Sequence, residues 1–323
     1  MAIAFKSVSD TCVEAKAASR ELALLGPDVR NRALNAIADA LDANAAQIIE
    51  ANERDLSAGR ESGLEAALMD RLKLDAGRLA GIANDTRRIA ELEDPVGRLI
   101  RKFKLHNGLK VRKIAVPLGV IAVVYEARPN VTIDAAALCL KSGNAIVLRG
   151  SSIAAHSNTV LAQVARAAIA GAGVPQAAIS IVSGGDRDEL RELATQEGVV
   201  DLIIPRGGEG LKHALKSVAT VPVIYAAAGN CHVYVDAGAD LRMAERIIVN
   251  AKVQRPGVCN AAETLLVHKD AAGEFLPRAL KALAGEGVEL HGDARTRALA
   301  GAGAGEIVEA GDADWSTEYL DLV

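Results

Sequence analysis

The chain has 323 residues, enough for one large or two ordinary domains, and half of them are hydrophobic, ample for a real core. A formal net charge of -4 and an aromatic content of 2% exclude the basic footprint and the base-stacking platforms of a nucleic-acid-binding protein. No apolar run reaches membrane-spanning length, and Met1–Asp10 has neither a long apolar core nor a cleavage pattern, so the expectation is a soluble, cytoplasmic protein with no nucleic-acid or membrane partner.

The N-terminal segment reads as helical. Ala33, Ile37, Leu41, Ala45 and Ile48 recur at three- and four-residue spacing, and Gly26-Pro27-Asp28 suits a helix start. A second amphipathic stretch runs from about Ala76 to Leu92. After Pro95-Val96-Gly97, two alternating runs, Leu99–Leu105 and Leu109–Ile114, flank His106-Asn107-Gly108. This is a hairpin signal, because Asn and Gly tolerate positive φ. The hairpin is rich in Lys and Arg. It is either a solvated ribbon with protected edges or an arm that pairs with another subunit.

From Val116 the pattern alternates between strand and helix. Val120–Val124, Ala145–Leu148, Ile179–Val182 and Val200–Ile204 read as strands. Helices run through Ile133–Leu140, Ile153–Ile169 and about Asp186–Gln196. This order predicts an α/β fold with a parallel sheet covered on both faces. A second α/β unit begins near Val221, with a strand at Val233–Val235, a helix at Leu241–Val253 and a strand at Glu263–Val267. A helix at Phe275–Leu283 and a short strand at Val288–Leu290 follow. Gly301–Gly305 is a connector, and Glu318–Val323 has the composition of a strand.

Cys12, Cys139, Cys231 and Cys259 lie far apart and form no Cys-x-x-Cys pair, and the histidines share no ligand spacing, so no metal site is expected. Cys259 is the informative one. It ends the loop Gln254-Arg255-Pro256-Gly257-Val258, between a helix and an apolar strand, where a thiol can meet a substrate and Arg255 favours the thiolate. The alternative is a small core cysteine. Three strand ends carry further chemistry, and in an open parallel sheet ligands gather at the carboxyl ends of the strands. After Val124 comes Tyr125-Glu126-Ala127-Arg128-Pro129-Asn130, where Asn130 either caps the next helix or donates to an oxyanion. After Leu148 comes Arg149-Gly150-Ser151-Ser152, a cation with hydroxyls suited to phosphate. After Ile204 comes Pro205-Arg206-Gly207-Gly208, glycines whose backbone N–H groups can face a pyrophosphate.

With Val124–Thr132, Leu148–Ser151, Ile204–Gly208, Cys231–Asp236 and Val253–Asn260, the chain resembles, over essentially its whole length, the gamma-glutamyl phosphate reductase (glutamate-5-semialdehyde dehydrogenase) family of the aldehyde dehydrogenase superfamily. The resemblance implies an aldehyde-dehydrogenase-like fold. Residues 1–97 and 115–220 would form a cofactor-binding domain, 98–114 an oligomerisation hairpin, and 221–323 a catalytic domain. It implies Cys259 as nucleophile and Asn130 as oxyanion donor, with Arg149, Gly150, Ser151, Ser152, Gly207 and Gly208 at the cofactor. Arg128, Arg206 and Arg255 are candidates for substrate carboxylate or phosphate. No acidic residue follows Arg149, which favours NADPH/NADP over NAD.

The reaction implied is NADPH-dependent reduction of L-glutamyl 5-phosphate to L-glutamate 5-semialdehyde with release of phosphate, in proline biosynthesis. Tyr225–Asn230, where hydrolytic relatives carry a glutamate base, has no carboxylate, in keeping with a phosphate-dependent reaction. The implied partners are a second copy in a homo-oligomer and glutamate kinase, which makes the substrate. Another phosphate- or CoA-dependent semialdehyde dehydrogenase, or a catalytically dead nucleotide-binding chain, are the alternatives. Members of the family continue beyond the position of Val323. The further expectation is therefore an incomplete catalytic domain, an uncovered last strand and poor turnover by this chain alone.

Overall fold

The computed structural model describes residues 6–225, 229–301 and 303–323. The chain divides into two compact units, Met1–Tyr225 and Ala226–Val323.

In the first unit, helices α1 (Val8–Leu22), α2 (Pro27–Ala43), α3 (Ala45–Glu61), α4 (Ala66–Leu72) and α5 (Ala76–Glu91) precede an antiparallel hairpin of β1 (Leu99–Lys104) and β2 (Lys110–Ile114). The periodic run through Ala33 and Ile48 proves to be two helices. Asn44 ends the first, its side-chain amide and backbone N–H both donating to the carbonyl of Ala40. Pro27 starts α2 as the sequence suggests. The hairpin turns at Gly108, whose φ of 90 needs glycine, and every residue of β1 is exposed.

The sheet follows: β3 (Val120–Tyr125), α6 (Asn130–Lys141), β4 (Ala145–Arg149), α7 (Ala155–Gly171), β5 (Ile179–Ile181), α8 (Arg187–Ala194), β6 (Leu202–Arg206) and α9 (Glu209–Val218). Its four strands are all parallel, in the order β5-β4-β3-β6. Strand alternation splits the side chains between two cores. Ile121, Val123, Tyr125, Ile146 and Leu148 pack with α2, α6 and α7, while Val120, Ala122, Val124, Ala145 and Val147 pack with α1 and α8. Burying each Val, Ile or Leu contributes about 1.5–3 kcal/mol, so both faces of the sheet are held firmly. The last strand lies two residues beyond its expected start. Asp201 is used instead as an anchor, its carboxylate accepting from Val120 N and from Lys16 Nζ at 2.7 Å. Pro205 is tolerated because β6 is an edge strand.

The second unit contains β7 (Cys231–Val235), α10 (Leu241–Val253), β8 (Ala262–Val267), α11 (Lys269–Gly285), β9 (Leu290–Gly292), α12 (Ala294–Leu299) and β10 (Ile307–Glu309). Its strands form two parallel pairs, β7 with β8 and β9 with β10. Helix α11 begins six residues before its expected start, His268 caps it by accepting from Asp270 N, and it runs through Pro277 as the expected helix did. The short strand falls at β9, two residues late.

Glu318–Val323 forms no strand, contrary to the sequence expectation. Leu320 sits at a φ of 56, and the segment's backbone bond to a neighbouring element runs from Glu289 N to Leu322 O, so no ladder develops. Among the described residues no helix is long and apolar enough to cross a membrane.

Candidate functional site

In the first unit the strand order turns at β3. From β3 the chain steps outward to β4 and β5, then returns to β6 on the other side. The carboxyl ends of β3, β4 and β6 are therefore neighbours, with Val124 opposite Arg149 and Tyr125 opposite Arg206. This is the switch point at which open parallel sheets bind ligands. It gathers Arg128, Asn130, Arg149, Gly150, Ser151, Ser152, Arg206, Gly207 and Gly208.

The β3 loop is tied to the β6 loop. Glu126 N donates to Arg206 O at 3.3 Å, and Gly208 N donates to Glu126 Oε2 at 3.1 Å. Glu126 thus supplies a carboxylate to the N-terminus of α9, where free N–H groups attract an anion. A Cβ on Gly207 would lie 2.7 Å from the Glu126 carboxyl carbon, so any larger residue there would displace that carboxylate. Asn130 opens α6 but is not its cap. Its Nδ2 donates to Asp134 Oδ2 at 2.8 Å, and burial pushes the Asp134 carboxyl above the ordinary range despite that bond.

The β4 loop is packed closely. A Cβ on Gly150 would lie 2.1 Å from Asn158 Nδ2, and one on Gly184, already at a φ of 70, would lie 2.1 Å from Gly150 O. Asn158 Nδ2 is buried without a partner, while its Oδ1 accepts from Thr132 Oγ1, itself 2.7 Å from Tyr125 OH. Arg149 does not point free into this space. Its Nε donates to Glu189 Oε1 at 3.1 Å and its Nη2 to Asp186 O at 2.6 Å. Glu189 also accepts from Gly184 N and the Ser183 hydroxyl. Ser151 Oγ accepts from Ile153 N, and Ser152 is exposed.

In the second unit, Cys259 and Arg255 are exposed on the loop between α10 and β8. Lys252 stands just before that loop and Glu263 just after it, and they form a buried pair at 3.0 Å with side chains 4% and 1% exposed. The pair closes the base of the loop. The backbone of Cys259 is also enclosed. Cys231 Sγ donates to Cys259 O at 3.3 Å, and a Cβ on Gly229 would lie 2.4 Å from that oxygen. Asn230 holds the same segment, accepting from Thr264 Oγ1 and donating to Trp315 O. Of Tyr225–Asn230, Ala226, Ala227 and Ala228 lie outside the described residues. A carboxylate nevertheless stands beside the segment, because Glu318 Oε1 lies 2.5 Å from where a Cβ on Gly229 would be. Among the described residues no cluster of His, Cys, Asp and Glu could hold a metal.

Sequence reasoning missed Glu126, Asn158, Glu189, Glu318 and the Lys252–Glu263 pair. Most of them act on partners tens of residues away, which leaves no local pattern to read.

Residues 3–298 match the aldehyde dehydrogenase family. The chain is 49% identical to gamma-glutamyl phosphate reductase of Clostridium novyi (strain NT), over 98% of this chain and 75% of that protein. It is also 49% identical to the enzyme of that name from Thermobifida fusca (strain YX), over 98% and 75%. The crystal structure of gamma-glutamyl phosphate reductase from Thermotoga maritima is similar at 39% identity, with a TM-score of 0.90 over 98% of this chain and 76% of that one. The fold is thus aldehyde-dehydrogenase-like, as the resemblance implied, and the chain spans about three quarters of the length of these relatives. The chain belongs to the aldehyde dehydrogenase family, and within it to the gamma-glutamyl phosphate reductases.

Proposed function

We propose that the chain carries the NADPH-dependent reduction of L-glutamyl 5-phosphate to L-glutamate 5-semialdehyde, with release of phosphate, as a step of proline biosynthesis in the cytoplasm. The observation that carries this reading is the exposed Cys259, on a loop stapled at its base, in a chain 49% identical to gamma-glutamyl phosphate reductases. In this reading the Cys259 thiolate attacks the acyl phosphate carbon. The carbon–oxygen bond to phosphate breaks, and a thioester remains on Cys259. Arg255, exposed four residues earlier, attracts the anionic substrate. Asn130 and the backbone N–H of Cys259 are assigned as oxyanion donors, a contribution of about 3–4 kcal/mol each in comparable sites. Asn130 donates one amide N–H to Asp134, which leaves its second N–H for that role. Arg128 and Arg206 remain candidates for substrate carboxylate or phosphate.

The chemistry supplied by bound NADPH is hydride for the thioester carbonyl. The residues at the β3, β4 and β6 ends fit a dinucleotide. Gly208 N already binds an anionic oxygen, that of Glu126, and the unpartnered Asn158 amide backs Gly150. A pyrophosphate would take the place of the Glu126 carboxylate at the α9 N-terminus. Arg149 would meet a 2′-phosphate only by sharing its guanidinium with Glu189. The exposed, partly apolar hairpin, with Leu99, Ile100 and Phe103 open to solvent, supports a homo-oligomer assembled through that arm. Glutamate kinase is the further partner this reading proposes.

The test is the reverse reaction, semialdehyde oxidation with NADP, in buffers containing phosphate, arsenate, coenzyme A or none of them. Turnover is expected with phosphate and arsenate alone. Brisk oxidation in phosphate-free buffer would overturn the acyl-phosphate reading, and its loss in Glu318→Gln would identify Glu318 as the water-activating base.

A further inference from the structure

Two of the four thiols have no means of reacting. Cys12 and Cys139 are buried, and burial pushes both up to about 12. The other two meet. Cys231 leads β7 and pairs in register with Ala262 at the start of β8. The turn closed by Ala261 N donating to Val258 O folds Cys259 back toward that level. Cys231 Sγ then lies 3.3 Å from Cys259 O. A carbonyl oxygen is about 2.4 Å from its own Cα, so Cys231 Sγ is within about 5.7 Å of Cys259 Cα. With the roughly 2.8 Å reach from Cα to Sγ of Cys231, the two Cα atoms lie at most about 8.5 Å apart, while a disulfide needs about 4.4–6.8 Å, so closure takes a side-chain rotation and a movement of the Cys259 loop. The close approach is built in, because any residue larger than Gly229 would collide with the Cys259 carbonyl.

We propose that Cys231 is a resolving thiol for Cys259, so that oxidation by a peroxide ends in a reversible Cys231–Cys259 disulfide. In the first step the Cys259 thiolate attacks one peroxide oxygen. The O–O bond breaks, sulfur gives up two electrons as a sulfenic acid, and hydroxide leaves. In the second step the sulfur of Cys231 attacks the sulfenic sulfur. The S–S bond forms, the S–O bond breaks, and the hydroxide lost takes the Cys231 proton as water. Two thiols and one hydrogen peroxide thus give one disulfide and two waters. A dithiol reverses it by exchange. Without a resolving thiol, a second peroxide carries the sulfenic acid to sulfinic acid, which a dithiol does not reduce. The device protects the exposed thiol and silences it at the same time. The inference needs that Cys259 is exposed and that Cys231 lies beside it, so it stands or falls apart from the reductase reading.

The experiment treats the native chain and Cys231→Ser with hydrogen peroxide, then with dithiothreitol, and follows intact mass and peptide masses. Equal alkylation rates of Cys259 before oxidation show that the variant is folded. The parent chain is expected to lose about 2 Da, with the peptides of residues 231 and 259 joined and the thiol restored by dithiothreitol. Cys231→Ser is expected to gain about 32 Da at Cys259 and to recover at least about tenfold less thiol. Sulfinic acid at Cys259 in the parent chain, formed as fast as in Cys231→Ser, would overturn the proposal, as would a disulfide linking two chains instead.

Discussion

The two units hold their functional loops by different means. In the first, strands β3 and β4 are buried on both faces, and their side chains divide cleanly between two apolar cores. The loops at their ends inherit rigidity from the sheet. In the second, the strands come only in pairs, and the apolar cluster around Val235, Ile248 and Phe275 is smaller. There the Cys259 loop is fixed by polar devices, the buried Lys252–Glu263 pair and the contacts of Gly229, Asn230 and Cys231. A sheet positions loops through packing that tolerates many apolar sequences. A polar staple positions one loop and depends on both of its members.

The largest effect expected belongs to the second unit. In a chain extended to the length of its relatives, Cys259→Ser should lower reductase activity by at least about a thousandfold with no change in the unfolding midpoint. Retained activity in steady-state assays would remove the nucleophile from this loop. The next measures the staple. Lys252→Met leaves Glu263 buried and unpaired, and is expected to cost the second unit about 3–5 kcal/mol in denaturant unfolding. The double variant Lys252→Met/Glu263→Leu should recover most of that stability. If it also recovers the alkylation rate of Cys259, the pair is packing only, and the contrast between the units loses its polar half.

In the first unit a single cap is expected to matter less. Asp186 accepts from Glu189 N at the start of α8, and Asp186→Ala should cost about 1 kcal/mol. A larger loss would show that the backbone carbonyl of Asp186 loses its hold on Arg149 as well. The smallest effect is one of pH. Hydrogen bonds to Glu289 and then Asp314 raise His291 above its ordinary 6.5, against some loss from burial. A raised folded value stabilises fully below 6.5 and ceases to do so as pH rises through it. The melting temperature of the second unit should therefore fall between mildly acidic and mildly alkaline buffer, and His291→Gln should flatten that slope. An unchanged slope would take His291 out of the account.

The sequence by itself determined the order of the main strands and helices from Val116 onward, although several of their ends fall elsewhere. Period-two apolar runs and glycine or proline punctuation are local, and the strongly buried β3 and β4 announce themselves as unbroken Val, Ile, Leu and Ala. It put Cys259 on an exposed loop and Asn130 and the glycine-bearing segments after strand ends, and the structure has them there. The weak elements were less legible. Residues 318–323 read as a strand, but with Leu320 turned to positive φ no partner strand forms a ladder with them. Only the tertiary structure decided what those side chains meet. Arg149 reads as a free cation for phosphate, yet Glu189, 40 residues on, already holds it. Gly208 reads as an empty anion site, yet Glu126 fills it. Residues 225–230 carry no carboxylate, yet Glu318 is folded against Gly229. Hydrophobic period is a property of neighbours along the chain. Charge pairing joins whichever residues the packed elements bring within hydrogen-bond reach, and no spacing in the sequence records it.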